Sequence, residues 1–476
     1  MKGGSVGSGV RPVLSVLSQE QIEQVHQYSL KILSDVGLRV DSSRALKIFE
    51  TSKSVTIDGD RVLIQPELVA WALKSAPRYL DIYNRTGQES FRLGRDSTRF
   101  GIGTTNLFYQ EPGTNEVTPF SRQSMKIGTR LGDSLDNYDL ISTIGIVKDV
   151  HPELQDLVGA LEMAANTTKP LVILISDPSQ FNPCMDLLET LFGDLVSKPF
   201  LLPYFNPVTP LVINKDTGDK LIDTISRGLP LIYSNYSMVG TTTPITPAGT
   251  LSLLNAELLA GLVLSQLVQE GAAIVLGSLP AFFDMKALVD YYDPLTILLN
   301  AACAEIMDFY QIPHAGTSGS GVGWGMDLPA SGMLWLNHLI ACIGNTGISP
   351  FVGGSFGSKV FSPEIVVFAD DIITQARRFS KGFILNDDTV KLEEIRSMGP
   401  GGNFLYSKTT KEKFKEGYYE NKIFPNLSLE KWQDLGRPGA SSKLTDCTIE
   451  LINGDEPPDY YEELINKGEE FISSIQ

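Results

Sequence analysis

Apolar runs and stretches with helical periodicity alternate along the chain from residue 98 to about residue 382. The apolar runs have the length of strands, and the helix-patterned stretches between them place apolar residues on one face. The runs are TRFGIG (98–103), DLISTIG (139–145), KPLVILIS (169–176), KPFLLPYF (198–205), LPLIYSN (229–235), AAIVLG (272–277), IPHAG (312–316) and ISPFVGG (348–354). The helical stretches lie near 120–135, 152–167, 180–196, 214–227, 248–270, 293–309, 329–345 and 363–382. The pattern predicts eight strands and eight helices in strict alternation.

Strict alternation predicts parallel strands that are joined by crossover helices. Eight such units are the number found in a closed (β/α)8 barrel. A doubly wound open sheet is the alternative. However, no GxGxxG motif opens a helix after a first strand, and aromatic and polar residues follow nearly every strand instead of gathering at one switch point. We therefore expect an α/β fold, a (β/α)8 TIM barrel over residues 98–382.

The two regions that flank the predicted barrel have different patterns. Residues 1–97 combine a helix at 18–36 with a hairpin at 55–64, which predicts an N-terminal α+β region packed on the barrel. Residues 383–476 combine Gly-Pro turns, charged runs and a final helix at 459–475. We expect this C-terminal extension to wrap around the barrel.

Composition narrows the classes of partner. A net charge of −17 argues against nucleic acid and anionic membranes. The four cysteines form no CxxC pair and the four histidines form no HExxH or HxH pattern, so neither a disulfide framework nor a metal site is predicted. The segment MKGGSVGSGV lacks the apolar core of a signal peptide. The apolar stretch 248–268 contains polar residues and is expected to be a buried helix. We therefore expect a cytoplasmic protein. The apolarity of that helix also suggests a homo-oligomer.

Chemistry in such barrels is built at the carboxyl ends of the strands. The residues that follow the predicted strands are rich in aromatic rings and neutral polar groups, and poor in acid–base pairs and nucleophiles. No lysine follows the sixth strand to form a Schiff base, no pair of glutamates suggests glycoside cleavage, and no basic cluster suggests a phosphate ligand. Aromatic faces with a few acids favour a quaternary ammonium group, which binds through cation–π attraction.

Two segments resemble motifs of a known family. MVGTTTPITPAGTLSLLNAELLAG (238–261) resembles the hallmark of the trimethylamine methyltransferase superfamily, in which a small-residue turn with Pro-x-Thr leads into an Asn-Ala-Glu helix. GPGGNFL (399–405) resembles a second hallmark, GPGGHFL. The resemblance extends over essentially the whole chain. It implies a (β/α)8 barrel that transfers a methyl group from an amine to Co(I) of a separate corrinoid protein, and therefore no permanently bound cofactor.

The departures from the family pattern are informative. Relatives that act on trimethylamine carry pyrrolysine in the loop after the seventh strand, where this sequence has QIPHAGTSGSGVGWGMDLPASG (311–332). Asp327 is retained, but Met333 stands near the position of an acid. Asn403 replaces the motif histidine and SKTT (407–410) replaces a His-Thr pair. The sequence therefore resembles the non-pyrrolysine branch, whose known substrates are quaternary amines such as glycine betaine.

The chemistry of a quaternary amine fits this resemblance. The nitrogen already carries a full positive charge and leaves as a neutral amine, so neither a covalent helper nor a strong general acid is needed. Orientation and desolvation would supply most of the catalysis. We predict a glycine betaine:corrinoid methyltransferase that forms dimethylglycine, with no acid–base catalytic residue and no nucleophile.

Three sets of candidate substrate-binding residues follow. An aromatic cage would draw on Phe108, Tyr204, Tyr236, Phe282, Trp324, Phe351 and Phe356. The carboxylate of the substrate is assigned to Asn106, Asn206, His314 and Thr317, with help from the amides of the glycine loop. Asp284 or Asp327 would balance the cation, unless these residues only cap a turn or a helix. Trp324 would act as a lid as the flexible glycine loop closes.

Three other functions remain open on the sequence alone. The first is the same chemistry on a larger betaine, such as proline betaine or carnitine. The second is a non-catalytic betaine-binding protein, and the third is an unrelated barrel lyase. Pocket volume and a methyl-transfer assay would separate them.

Overall fold

The centre of the computed structural model is a closed barrel of eight parallel strands. The structure describes residues 9–94, 97–316, 320–321, 323–344, 347–454 and 456–475. The strands are β1 (Arg99–Ile102), β2 (Tyr138–Ser142), β3 (Leu171–Ile173), β4 (Leu201–Phe205), β5 (Leu231–Val239), β6 (Ile274–Asp284), β7 (His314–Ala315) and β8 (Ile348–Val352). Each strand pairs in parallel with the next, and β8 returns to β1 through Ile348 and Arg99. The predicted barrel is confirmed, and the open-sheet alternative is wrong because the sheet has closed on itself.

One helix follows each strand on the outside of the barrel, as the alternation predicted. The helices are α1 (Arg122–Ser134), α2 (Gln155–Asn166), α3 (Phe181–Phe192), α4 (Lys215–Ser226), α5 (Pro247–Val268), α6 (Pro294–Tyr310), α7 (Leu328–Ile343) and α8 (Pro363–Lys381). Single-turn 3-10 helices at Pro152–Leu154 and Pro178–Gln180 precede α2 and α3. The side chains of Ser121, Asp293 and Asp327 cap α1, α6 and α7 by accepting a backbone N–H three residues ahead.

Strands β5 and β6 are longer than the sequence pattern predicted. They were expected to end at residues 235 and 277, but they stay paired as far as Val239 and Phe282. The chain then turns back, and Val289–Tyr291 pairs antiparallel with the end of β6. Because this extension projects past the carboxyl end of the barrel, we call it the mouth ribbon; it comprises residues 236–239, 279–284 and 289–291.

The N-terminal region contains the predicted helix and hairpin. Its helices are Gln19–Lys31, which continues as a π-helical turn at Ile32–Val36, Ser43–Phe49 and Pro66–Ser75. Its strands are Leu38–Val40, Val55–Asp58, Arg61–Ile64, Leu80–Tyr83 and Glu89–Leu93. The hairpin expected at 55–64 is present, and Val212–Ile213 from the barrel joins its sheet beside Leu38–Val40.

A second N-terminal hairpin closes the amino-terminal end of the barrel. It is formed by Leu80–Tyr83 and Glu89–Leu93, and its apolar side chains Ile82 and Phe91 are buried. They belong to one apolar cluster with the barrel residues Leu140, Val172 and Leu202. The interior is therefore packed at the amino-terminal end, where the hairpin covers the barrel residues.

Helix α5 is apolar around most of its circumference because it is covered on both sides. Among the described residues it is the one helix long and apolar enough to cross a bilayer, and most of it is buried inside the protein. The barrel covers one side, and the N-terminal helices Gln19–Lys31 and Pro66–Ser75 cover another. Its apolarity is therefore satisfied within one chain and gives no support to an oligomer, contrary to the inference from sequence.

The C-terminal region runs along the outer helices. Its elements are the strand Phe383–Ile384, the helices Asp387–Val390, Leu392–Met398, Lys408–Gly417, Leu429–Asp434, Ala440–Gly454 and Tyr461–Ser474, and a 3-10 turn at Phe404–Tyr406. Ala440–Gly454 packs on α8 and α1, and Tyr461–Ser474 packs on α2 and α3. Phe383–Ile384 pairs with Gly9–Val10. The short strands Phe108–Gln110, Val117–Pro119, Gly354–Ser355 and Val360–Phe361 form a separate small sheet.

Candidate active site

A cavity lies at the carboxyl end of the barrel, where the sequence predicted the site. Its volume is about 570 Å³, counting the space that is open to solvent at its mouth. The lining residues come from the ends of β1, β3, β4, β5, β6 and β8 and from later loops: Thr104, Thr105, Leu174, Tyr204, Asn206, Tyr236, Leu279, Tyr292, Ser320, Phe351 and Ser358.

Four aromatic rings form much of the wall. Tyr204 and Phe351 are buried, and their rings meet edge to face with centroids 5.1 Å apart. Tyr236 and Tyr292 are partly buried on the side of the mouth ribbon. Burial raises the pKa of Tyr204 to about 12 and the pKa of Tyr292 further above its ordinary value. The phenols are therefore neutral, and the wall offers aromatic faces without charge.

A carboxylate stands directly behind this wall. The Tyr236 hydroxyl donates a hydrogen bond to Asp290 Oδ2 at 2.5 Å. Burial, together with neighbouring Tyr292 and Asp290, raises the pKa of Tyr236, so the phenol keeps its proton and acts as the donor. None of the described residues that line the cavity is acidic or basic. Asp290 thus contributes a negative charge one hydrogen bond away from an otherwise uncharged cavity.

Hydroxyl and amide groups form the polar part of the lining. Thr104 donates to Asn106 Oδ1 at 2.9 Å, and Asn106 Nδ2 donates to the Ser358 carbonyl at 2.8 Å. Ser320 and Ser358 share one hydrogen bond of 2.9 Å between their hydroxyls. One of those two protons forms the shared bond, which leaves the other available to a ligand. Asn106 therefore positions two lining residues without itself lining the cavity.

The structure brings together four of the predicted cage and carboxylate residues. Tyr204, Asn206, Tyr236 and Phe351 line the cavity, and each lies near the carboxyl end of a barrel strand. The Asn206 side-chain amide donates to the Ser234 carbonyl at 2.8 Å, which fixes the orientation of the side chain. Contact of these four residues with a substrate remains a prediction.

The other predicted aromatic residues lie outside the cavity lining. Phe282 packs against Tyr291 on the mouth ribbon, with ring centroids 6.2 Å apart. The Phe108 and Phe356 side chains are 39% and 41% exposed, and Trp324 is 75% exposed. Trp324 would have to move in order to act as the predicted lid.

Three predicted polar residues have structural partners away from the cavity. His314 lies near the amino-terminal end of the barrel, because its neighbour Ala315 pairs with the first residue of β8, Ile348. Asp284 accepts the backbone N–H of Lys286 at 2.7 Å and so closes the turn of the mouth ribbon. Asp327 accepts from Ala330 N at 2.8 Å and from Trp324 N at 2.9 Å as the N-cap of α7. Thr317 lies outside the described residues.

The described part of the glycine loop packs against the cavity wall. A Cβ atom on Gly321 would lie 2.6 Å from the Tyr292 ring, and φ is +93° there, so only glycine fits without strain. Gly321 N donates to the Gly354 carbonyl at 3.0 Å, and Phe356 N donates to the Gly323 carbonyl at 3.0 Å. Close packing and positive φ angles thus account for glycine at these positions.

Sequence reasoning missed the wall that follows the mouth ribbon. Tyr292 and Asp290 lie in the stretch DYYD, between the end of β6 and the N-cap of α6. Two tyrosines flanked by acids directly before a helix are a recognisable signal. They lie too far beyond the predicted end of the sixth strand to be included among the residues that follow it. Ser320, Ser358, Leu174 and Leu279 were also missed, since a lining of small and aliphatic residues carries no distinctive pattern.

The Asn-Ala-Glu part of the family hallmark lies in the middle of α5 and works outside the cavity. Asn255 Nδ2 donates to Ser29 Oγ and to the Tyr310 hydroxyl, both at 2.9 Å. These bonds tie the N-terminal helix to α5 and α6. The hallmark asparagine therefore holds the N-terminal region on the barrel.

Glu257 of the same hallmark holds the loop after β4. Its carboxylate accepts hydrogen bonds from Thr209 Oγ1 at 2.9 Å, Leu211 N at 2.6 Å and Asn235 Nδ2 at 2.9 Å. Burial raises the pKa of Glu257 to about 7, although the three hydrogen-bond donors act in the opposite direction. The loop that it holds follows directly after Asn206, so Glu257 supports one side of the cavity without lining it.

The sequence of this chain is similar to those of known proteins. The family model described as trimethylamine methyltransferase (MTTB) matches residues 7–474. The glycine betaine methyltransferase of Desulfitobacterium hafniense strain Y51 is 26% identical over 431 residues, covering 88% of this chain and 89% of that protein. The trimethylamine methyltransferase of Desulfitobacterium hafniense strain DSM 10664 / DCB-2 is 25% identical over 452 residues, covering 93% and 90%.

A solved structure, the monomethylamine methyltransferase of Methanosarcina barkeri, aligns with 10% identity and a TM-score of 0.48 over 94% of this chain and 96% of that one. The barrel assignment rests on the strand register of this chain itself. Because the family model spans almost the whole length, the chain belongs to the trimethylamine methyltransferase (MTTB) family and is a methyltransferase.

Proposed function

We propose that this enzyme transfers a methyl group from a quaternary amine, preferably glycine betaine, to Co(I) of a corrinoid on a separate protein, and releases dimethylglycine. The observation that carries the proposal is the wall of neutral aromatic rings around a cavity with an uncharged described lining, with Asp290 bonded behind Tyr236. A trimethylammonium group has its positive charge spread over three methyl groups. Aromatic faces attract such a cation without forming hydrogen bonds, which the group cannot make.

The reaction needs positioning more than proton transfer. The bond between the methyl carbon and nitrogen breaks with its electron pair remaining on nitrogen, and the methyl carbon forms its new bond with cobalt. No proton moves, so a general acid or base has no task. The cavity opens at the carboxyl end of the barrel, which gives the corrinoid access to one methyl group while the rings exclude water from the others.

The polar part of the lining supports a substrate that also carries a carboxylate. Ser320 and Ser358 together leave one hydroxyl proton to donate, whereas the hydroxyls of Thr104 and Thr105 already donate to Asn106 Oδ1 and to the Thr104 carbonyl. Hydroxyl donors bind a carboxylate without introducing a positive charge that would repel the ammonium group. The name of the relative from strain Y51, glycine betaine methyltransferase, favours the same substrate.

A spectroscopic assay tests the proposal. The enzyme is mixed with a Co(I) corrinoid protein and either glycine betaine or trimethylamine, and formation of methyl-Co(III) is followed by absorbance. We expect methyl transfer from glycine betaine and little from trimethylamine, which has a poorer leaving group. If methyl transfer occurs only from a bulkier betaine, the proposed substrate is wrong but the proposed reaction is right. Tight binding of betaine without any transfer would indicate a binding protein and refute the proposal.

A further inference from the structure

We propose that residues 383–437, here called the tail segment, form an interface with a second copy of this chain. In the tail segment only Ser407 is buried, although the segment contains four helices and a 3-10 turn. Fifteen of its large apolar side chains are exposed, among them the rings of Phe383, Phe404, Tyr406, Phe414, Tyr418 and Trp432. Large exposed apolar patches mark interaction sites, and these fifteen side chains all lie within one segment of chain.

The helices of the tail segment need a partner to be stable. They are Asp387–Val390, Leu392–Met398, Lys408–Gly417 and Leu429–Asp434, and the longest has 10 residues. Isolated helices shorter than about 12–15 residues are marginal in water, and most helix stability in proteins comes from packing an apolar face. The barrel covers almost none of these faces, so the packing must come from another molecule.

The exposed apolar area is large enough for a stable interface. A fully exposed aromatic side chain presents about 200 Å², so the six named rings at their observed exposures present roughly 600 Å². Nine exposed aliphatic side chains add to this area. A standard interface needs about 800 Å² from each partner. One tail segment can therefore supply the apolar part of one side of a dimer.

Charge identifies the occupant as a second copy. The whole chain has 39 basic and 56 acidic side chains, for a net charge of −17. The tail segment has nine basic and nine acidic side chains, so its net charge is zero and the rest of the chain carries all of the excess. Two copies of an acidic protein repel each other elsewhere, but they can meet at a neutral surface that carries both signs.

The tail segment is anchored along helix α8. It begins after α8, whose C-terminus lies at the amino-terminal end of the barrel because the outer helices run against the strands. Arg378 at the end of α8 donates to the Gly417 carbonyl at 2.9 Å, which holds the segment there. From there Asn421 and Phe424 contact Asp371 and Phe368 of α8, so the segment runs back along that helix toward the carboxyl end of the barrel.

The oligomeric state tests this interface. The full chain has a mass of 52.1 kDa, and we expect light scattering to report at least twice that mass. Leu405 and Tyr406 are 71% and 73% exposed, so Leu405→Glu with Tyr406→Glu should place charge in the interface and lower the mass to that of one chain. Met285→Glu is the matched control: Met285 is 65% exposed in the turn that joins the two strands of the mouth ribbon, and its substitution should leave the mass unchanged.

Cross-linking of the wild-type protein keeps the test independent of how the variants fold. Isotope-labelled and unlabelled chains are mixed, allowed to exchange, and treated with an amine-specific reagent, since Lys408, Lys411, Lys413 and Lys415 lie in the tail segment. Links between labelled and unlabelled peptides of that segment are expected. A single-chain mass for the wild type, or an oligomer whose interchain links lie only elsewhere, would overturn the proposal. Protection of the segment by the corrinoid protein alone would do the same.

Discussion

Substitution of Tyr236 can separate attraction of a cation to an aromatic face from ordinary apolar contact. Tyr236 lines the cavity, and its hydroxyl donates to Asp290 Oδ2 at 2.5 Å. Tyr236→Phe keeps the ring and removes the hydrogen bond. Tyr236→Leu removes both and keeps an apolar side chain in the wall. The two variants therefore differ mainly in the presence of an aromatic face.

The expected magnitudes follow from the position of the ring. A desolvated cation–π contact contributes about 2 kcal/mol, which corresponds to a factor of roughly 30 in Kd. We expect Tyr236→Leu to raise the Kd for glycine betaine by that factor. The bond to Asp290 is present before any ligand binds, so Tyr236→Phe should mainly lower the free energy of unfolding, by about 1.5–3 kcal/mol. Its Kd should rise by less than about fivefold, because the ring remains.

Calorimetric titration with two ligands provides the assay. The first is glycine betaine, and the second is 3,3-dimethylbutanoate, which has carbon in place of nitrogen and no positive charge. Tyr236→Leu should weaken the isostere by less than about threefold, since its apolar contact is retained. Equal losses for the two ligands would refute a cation–π role. Phe108→Leu is the control outside the lining, and an equally large loss there would mean that the cage lies elsewhere.

Three further substitutions test separate features. Asp290→Asn removes a negative charge but keeps an acceptor for Tyr236, and it should weaken glycine betaine about tenfold without weakening the isostere in the same titration. Asp327→Ala removes the N-cap of α7 and should lower the urea-unfolding free energy by about 1 kcal/mol. Folding raises the pKa of Glu257 from 4.5 to about 7, so the folded protein holds this proton to higher pH than the unfolded chain does. The unfolding free energy should therefore fall by up to about 3 kcal/mol as the pH rises from 4.5 to 7. The glutamine in Glu257→Gln cannot titrate. Urea unfolding of this variant across the same pH range should therefore show a smaller dependence of the unfolding free energy on pH.

The barrel and three of the four aromatic rings of the cavity wall followed from the sequence for one physical reason. Parallel strands buried on both faces appear as short apolar runs, and their carboxyl ends converge at one place. Tyr204, Tyr236 and Phe351 lie close to the ends of three such runs, so the pattern located them without knowledge of the register. Three rings of the cavity wall could be found because each is tied to a strand that the pattern identifies.

Residues whose position depends on register or loop path could not be located in the same way. His314 lies in a run of five residues, of which only two form β7, and their pairing places the imidazole near the amino-terminal end. Trp324 lies beside Gly321 and Gly323, whose backbone groups form hydrogen bonds to the segment after β8. Neither the length of a paired segment nor a loop-to-loop hydrogen bond is encoded in hydrophobic periodicity.

The part of the site that carries charge depends on the most non-local feature of all. Asp290 reaches the cavity wall only because β6 extends beyond the barrel, the chain turns at Asp284, and the next strand pairs antiparallel with the end of β6. In the sequence, Asp290 is one of 56 acidic residues and is marked only by the stretch DYYD, whereas in the fold it accepts a hydrogen bond from a lining tyrosine. An aromatic wall selects for methylated ammonium groups in general. It is the return strand that adds a negative charge to that wall, so the selectivity of this enzyme for a full cation should depend more on the mouth ribbon than on the barrel strands.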